Sequence, residues 1–273
     1  MAAHAIGGND VAELLARHDI WRGRQTRPPE SSAAPCPSGW SALDELLGGG
    51  WPSEGLVELY AGRAARGIWR RPCERLDTTP LKPHQDWFQS SLGHGTTTLL
   101  MPWLHRQTRT GRVALINPPA LPCAERWQRE GVRLDNLLVI QPHNLRELGW
   151  ATEEVLQSGV YPLVVAWLPP LGFALRRRLK LAAETGGGCL VTPYPLGAEM
   201  TAGTAMSAPS SPAWAQLVVH RRTQGLSVRR LKPFHPREVH LELDAGGIES
   251  APPDTPGTTG AAPLRLVRFL SDR

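Results

Sequence analysis

Short apolar runs alternate with amphipathic helical patterns between residues 96 and 192, and this alternation constrains the fold more than any other feature of the chain. The run at 163–167 (LVVAW) is apolar throughout, which is typical of a strand that is buried on both faces of a sheet. Helical patterns stand on either side of it, at 145–158 and 174–184. Strands that alternate with helices predict a three-layer α/β domain with a central, mostly parallel sheet.

The same patterns give the expected elements along the chain. Helices are predicted at 41–47, 96–107, 123–130, 145–158 and 174–184. Strands are predicted at 55–60, 112–117, 137–141, 163–167 and 189–192. A C-terminal β-hairpin at 214–220 and 225–232 and a last strand at 240–243 complete the set.

Composition along the chain predicts three regions. Residues 1–36 comprise a short amphipathic helix at 10–22 and a Pro-rich linker. The α/β domain extends over 37–243, with an inserted loop at 63–92 and a loose loop at 198–212. Residues 244–273 are a low-complexity tail and a C-terminal segment, of which the last ten residues either add a strand or act as a docking peptide.

Charge and cysteine content exclude some classes of protein and leave others open. The net charge of +5 and the pI of about 9.4 are compatible with nucleic acid or with an acidic partner. The four cysteines are scattered, with no C-x-x-C pair, so we expect no metal site. Neither a secretory signal nor a bilayer-spanning stretch is recognisable, so a soluble cytoplasmic protein without a membrane partner is expected.

Ten tryptophans are many for 273 residues. Those with apolar sequence neighbours are predicted to lie in the core: Trp40, Trp103 and Trp150. Those in turns or in the insertion are predicted to be exposed, where they favour a protein interface: Trp51, Trp69 and Trp87.

The glycines and threonines between the first strand and the helix that begins near residue 96 match the frame of a phosphate-binding loop, and an ordinary strand-to-helix turn is the alternative. Such a loop needs a glycine-rich turn, a Lys for the outer phosphates and a Ser or Thr hydroxyl for magnesium. No Gly-Lys-Thr sequence occurs anywhere in the chain. The residues of the frame are Gly62, Gly93, Gly95, Thr96 and Thr97.

Several segments resemble RecA and its relatives. The segments 37–52 (PSGWSALDELLGGGWP) and 131–142 (GVRLDNLLVIQP) are similar to RecA. The phrases HDIWRG at 18–23, ALINPP at 114–119 and AWLP at 166–169 are similar to the ImuA family of bacterial mutagenesis cassettes. The resemblance covers roughly residues 37–195 and implies a RecA-like domain.

The resemblance also implies that the ATPase residues are replaced. It places Thr96 at the phosphate-loop Lys, Pro119 at the Glu that activates water and Trp167 at the Asp that holds magnesium, while Thr97 keeps its hydroxyl. Phosphoryl transfer depends on such charges. We therefore expect neither ATP hydrolysis nor a cofactor.

The function that the resemblance implies is that of a non-catalytic accessory factor in SOS-induced translesion DNA synthesis. Its partners would be an ImuB-type, Y-family-like protein and an error-prone DnaE-type polymerase, with RecA and DNA as further candidates. A SulA-like inhibitor of cell division is one alternative. A DNA-dependent ATPase that uses Arg66, Arg70 or Lys82 is another.

Two basic clusters are candidates for contact with DNA, because in RecA-like folds this half faces DNA. Solvated charge is the equally weighted alternative. The residues are Arg176, Arg177, Arg178 and Lys180 in the helix at 174–184, and Arg221, Arg222, Arg229, Arg230 and Lys232 in the hairpin.

Overall fold

The computed structural model describes residues 34–65, 73–81, 95–197, 211–232, 237–242 and 265–268. The chain divides into two units, Met1–Ser32 and Ala33–Arg273. The first unit, with the predicted helix at 10–22, lies outside the described residues. Trp69, Trp87, Gly93, Arg66, Arg70 and Lys82 also lie outside them.

The second unit is built from nine strands and five α-helices in its described part. The helices are α1 (Ser41–Leu47), α2 (Thr96–Thr110), α3 (Ala124–Arg129), α4 (Leu145–Gln157) and α5 (Phe173–Thr185). The strands are β1 (Gly55–Ala65), β2 (Val113–Ile116), β3 (Leu137–Gln141), β4 (Leu163–Ala166), β5 (Cys189–Gly197), β6 (Ala215–Arg222), β7 (Gly225–Lys232), β8 (Arg237–Glu242) and β9 (Arg265–Arg268).

All nine strands form one sheet in the order β8-β7-β6-β1-β5-β4-β2-β3-β9. Strand β7 is antiparallel to both of its neighbours, and the other paired strands are parallel. The predicted mostly parallel sheet and C-terminal hairpin are therefore confirmed. The C-terminal segment, for which two roles were open, adds strand β9 at the edge beside β3.

Helices cover both faces of the sheet, which confirms the three-layer α/β fold. One core packs α1, α2 and α3 against alternate residues of the strands, such as Val57 and Leu59 of β1. The other core packs α4 and α5 against the opposite face, including Leu56 and Tyr60 of the same strand. The alternation along β1 arises because successive side chains of a strand point to opposite faces.

Two described parts of the predicted insertion belong to or contact the main domain. Strand β1 continues to Ala65, and residues 73–81, called the strap below, are bound to the main domain through backbone atoms. The N–H groups of Leu145 and Arg146, at the start of α4, donate to the carbonyls of Thr79 and Asp77 at 3.1 and 2.7 Å. The strap thus supplies acceptors that the first turn of a helix lacks internally.

No helix in the described ranges is both long and apolar enough to cross a bilayer.

Candidate functional site

The start of α2 is the place to which the resemblance assigns a degenerate phosphate loop. Gly95 is the N-cap residue and has a φ of 91°, a left-handed conformation that favours glycine. Thr96, in the position that the resemblance assigns to Lys, is buried, and its hydroxyl has no hydrogen-bond partner among the described residues. Thr97 is exposed. Gly62 lies within strand β1.

An indole occupies the carboxyl end of β4, where the resemblance places a magnesium-binding Asp. Trp167 is 8% exposed and belongs to the core on the α2 side of the sheet. The backbone N–H of Trp167 donates to the carbonyl of Ile116 at 3.0 Å, and its backbone carbonyl accepts from Nδ2 of Asn117 at 3.0 Å. Pro119, two residues after Asn117, has no ionisable group.

The three side chains that the resemblance places at the ATPase positions offer no charge to magnesium or to a phosphate. The position of the phosphate-binding cation holds a neutral Thr, and neither Trp167 nor Pro119 offers a side-chain oxygen to a metal or to water. Across the part of the chain that the structure describes, no group of three His, Cys, Asp or Glu residues is placed to hold a metal ion.

A buried polar cluster under α5 was missed by sequence reasoning. Glu58 in the centre of β1 is fully buried, and its Oε2 accepts hydrogen bonds from the Tyr60 hydroxyl at 2.9 Å and from Nε2 of Gln216 at 2.7 Å. Nη1 of Arg176 lies 3.4 Å from Oε1 of Glu58. The cluster therefore pairs a buried carboxylate with a buried guanidinium, as the low dielectric of a core requires.

Aromatic rings enclose the same cluster. The Arg176 guanidinium lies over the ring of Tyr194, 5.8 Å from its centroid. Burial and then the charge of Glu58 raise the pKa of Tyr60 and of Tyr194 well above the ordinary tyrosine value. Burial lowers the pKa of Arg176, but Glu58 and the two tyrosines more than offset this, so its pKa is raised overall. Both tyrosines are therefore neutral and Arg176 is charged near pH 7.

The buried position of Arg176 separates it from the other basic residues of α5 that were candidates for contact with DNA. Arg176 is 7% exposed, and its Nε donates to the carbonyl of Leu171 at 2.6 Å, so it is directed into the domain. Arg178 is hydrogen bonded to Glu153, and Nζ of Lys180 lies 2.8 Å from Oε1 of Glu184. Arg177 is exposed.

The basic residues of the hairpin are also dispersed. Arg221 is exposed, and Nη2 of Arg222 lies 3.8 Å from Oε1 of Glu238. Nη1 of Arg230 donates to the carbonyl of Leu46 at 2.6 Å, which holds this half-buried residue against α1. Arg229 precedes it on β7, and Lys232 is the last residue of that strand. Contact with DNA at the exposed residues stays a prediction.

Two of the predicted tryptophan positions are wrong. Trp51, expected to be exposed, is fully buried and stacks on Trp103 with ring centroids 4.9 Å apart. Trp150, expected in the core, is 55% exposed on the outer side of α4. Trp103 is buried as predicted, and Trp40 is partly buried with its indole N–H donating to the carbonyl of Leu99.

Comparison with known proteins relates the chain to one group. No protein-family model matches it. The cell division inhibitor SulA of Edwardsiella piscicida is 34% identical to it over 126 residues, which are 44% of this chain and 73% of that protein. The chain belongs to the SulA family. The similarity is distant and covers part of the chain.

Other members of the SulA family match over shorter lengths. The cell division inhibitors SulA of Serratia marcescens and Yersinia pestis are 35% and 31% identical over 92 and 91 residues. The chain spans about half the length of these two relatives, 53% and 54% respectively. The crystal structure of SulA from Pseudomonas aeruginosa matches with 30% identity and a TM-score of 0.33, over 36% of this chain and 85% of that chain.

Proposed function

We propose that this protein is a non-catalytic, SulA-like factor of the SOS response that inhibits cell division by binding the tubulin-like division protein in the cytoplasm. The observation that carries the proposal is the 34% identity over 73% of the length of a SulA protein described as a cell division inhibitor. A binding role also agrees with a nucleotide frame in which Thr96, Pro119 and Trp167 carry no charge.

Hydrolysis of ATP is the activity that this proposal excludes. We expect the purified protein to show no DNA-stimulated ATP hydrolysis above background, because the frame lacks its cation, its base and its metal-binding carboxylate. The assay compares the wild type with Thr97→Ala, which removes the exposed hydroxyl at the start of α2. A rate that survives purification and is lost in Thr97→Ala would contradict the proposal and favour the ATPase alternative.

Binding to the division protein is the direct test. Purified full-length chain is mixed with the purified tubulin-like division protein, and the affinity is measured by fluorescence anisotropy. In parallel, the chain is produced in bacterial cells from an inducible promoter. We expect a stable complex and elongated, undivided cells. Normal division together with no measurable complex would refute the proposal.

A second candidate is the accessory role in translesion synthesis with an ImuB-type protein and a DnaE-type polymerase. Its support is that the SulA match occupies 44% of this chain, so more than half of the residues lie outside it, and that the 131–142 segment resembles RecA. A tagged chain recovered from DNA-damaged cells separates the two candidates. Recovery of the ImuB-type protein without the division protein favours the second, and the reverse favours the first.

A further inference from the structure

Large exposed apolar side chains are concentrated on the two helices of one face of the sheet. The described residues include five such side chains, and three of them lie on α4 and α5: Trp150 at 55%, Phe173 at 49% and Leu181 at 50% exposure. The other two, Leu121 and Val160, lie in loops. Clustered apolar exposure of this kind is typical of interaction sites, whereas scattered residues are not.

An open groove of about 410 Å³ lies between these helices. Glu153 and Gln157 line it from α4, and Ala174, Arg177 and Leu181 line it from α5. Trp150 precedes Glu153 by three positions and so belongs to the same stripe of α4. Leu181 therefore lines this surface and Trp150 lies on the same stripe of α4 as Glu153; the surface is called the α4–α5 groove below.

The side chains that line the groove carry one more positive charge than negative charge. Arg178 bonds to Glu153 across the groove, and Lys180 pairs with Glu184. Arg177 is exposed on the wall of the groove and forms no ion pair within the described ranges. Among the described residues that line the groove, Arg177 is the cation for which no acidic partner is seen, and an acidic group on a partner protein would complement it.

We propose that the α4–α5 groove docks an amphipathic helix of a partner protein, with large apolar side chains in the groove and an acidic side chain on Arg177. The inference rests on the proposed function and adds the surface through which the partner binds. A groove between two helices suits a helix with apolar residues on one stripe. Trp150 and Arg177 are of the residue types that dominate binding energy at protein interfaces.

The test uses the full-length chain and the two purified candidates of the preceding section, the tubulin-like division protein and the ImuB-type protein. Affinities are measured for Leu181→Glu, which places a charge on the apolar wall, and for Arg177→Glu, which reverses the free charge. We expect each substitution to weaken binding by about tenfold or more. Arg177→Lys, which keeps the charge, should weaken it much less.

The matched control is Leu121→Glu, because Leu121 is 46% exposed and lies outside both helices. Its affinity should stay within about twofold of the wild type. Thermal unfolding checks that each variant folds, and Trp150→Ser replaces Leu181→Glu if that variant does not.

The outcomes separate the two proposals. If the wild type binds a candidate and both groove variants bind equally well, the groove is not the docking surface, although the proposed function stands. If the wild type binds neither candidate, the proposed function fails and this inference fails with it. If sedimentation shows a wild-type dimer that Leu181→Glu abolishes, the occupant is a second copy of the chain and the proposed partner helix is wrong.

Discussion

Replacing Arg176 with methionine should strongly destabilise the protein. The substitution keeps an unbranched side chain but leaves the fully buried carboxylate of Glu58 without its cation, 3.4 Å away in the wild type. Removing one partner of a buried ion pair costs about 3–5 kcal/mol. Tyr60 and Gln216 still donate to Glu58, which favours the lower half of that range, while the lost bond to Leu171 adds about 1 kcal/mol. We expect a loss of about 4 kcal/mol.

The assay is urea unfolding at pH 7, followed by tryptophan fluorescence and circular dichroism and evaluated by linear extrapolation. The matched control is Arg177→Met, the next residue on α5, whose exposed side chain should change the unfolding free energy by less than about 0.5 kcal/mol. Because domains have only about 5–15 kcal/mol of stability, Arg176→Met should be marginally folded.

A double variant makes the test decisive even if the single variant does not fold. Glu58→Gln combined with Arg176→Met removes the unpaired charge and keeps an acceptor for Tyr60 and Gln216, so it should recover most of the lost stability. A loss below about 1 kcal/mol in Arg176→Met, or a double variant no more stable than the single one, would refute the ion-pair reasoning.

Two further predictions concern the strap and the pH dependence of stability. A β-carbon at Gly149 would collide with the Leu76 side chain, so Gly149→Val should detach the strap. Because the amide of Arg146 donates to the strap, its hydrogen exchange should become faster. Unchanged protection of this amide would contradict the contact. Burial, and then Arg109, lowers the pKa of His105, so the unfolded chain takes up its proton at higher pH than the folded chain. The free energy of unfolding should therefore fall as the pH drops below about 6.5, and it should fall more steeply than in His105→Gln. If the free energy of unfolding has the same slope against pH in both proteins between about pH 7 and 5, the reasoning is wrong.

Helical periodicity contains information that a neighbour-based prediction misses. Trp150 has apolar neighbours in sequence, but Leu148, Ala151 and Leu156 form the inward stripe of α4, and Trp150 falls outside it. Arg176 precedes Leu179 by three positions and Ala183 by seven, which places it on the inward stripe of α5. The spacing therefore offered a signal for both corrections.

The candidate site was less accessible to sequence reasoning than the fold. Glu58 within an apolar strand was a visible signal of a buried charge, but nothing local indicates its partners. Gln216 lies 158 residues further along the chain, and the two meet because β6 pairs with β1. The groove depends likewise on the packing of α4 beside α5.

The sequence by itself determined the helices and strands of this protein and their arrangement in three layers, because apolar runs and helical stripes can bury their surface in only a few arrangements. The sequence also shows that Thr96, Pro119 and Trp167 carry no charge, whereas their places in a nucleotide frame stay a prediction from the resemblance. Only the tertiary structure decided which polar groups share the core, which tryptophans face solvent and which edge strand β9 occupies. These depend on contacts between distant segments, whose pairing is set by the packing of the whole sheet and not by the residues on either side of each position.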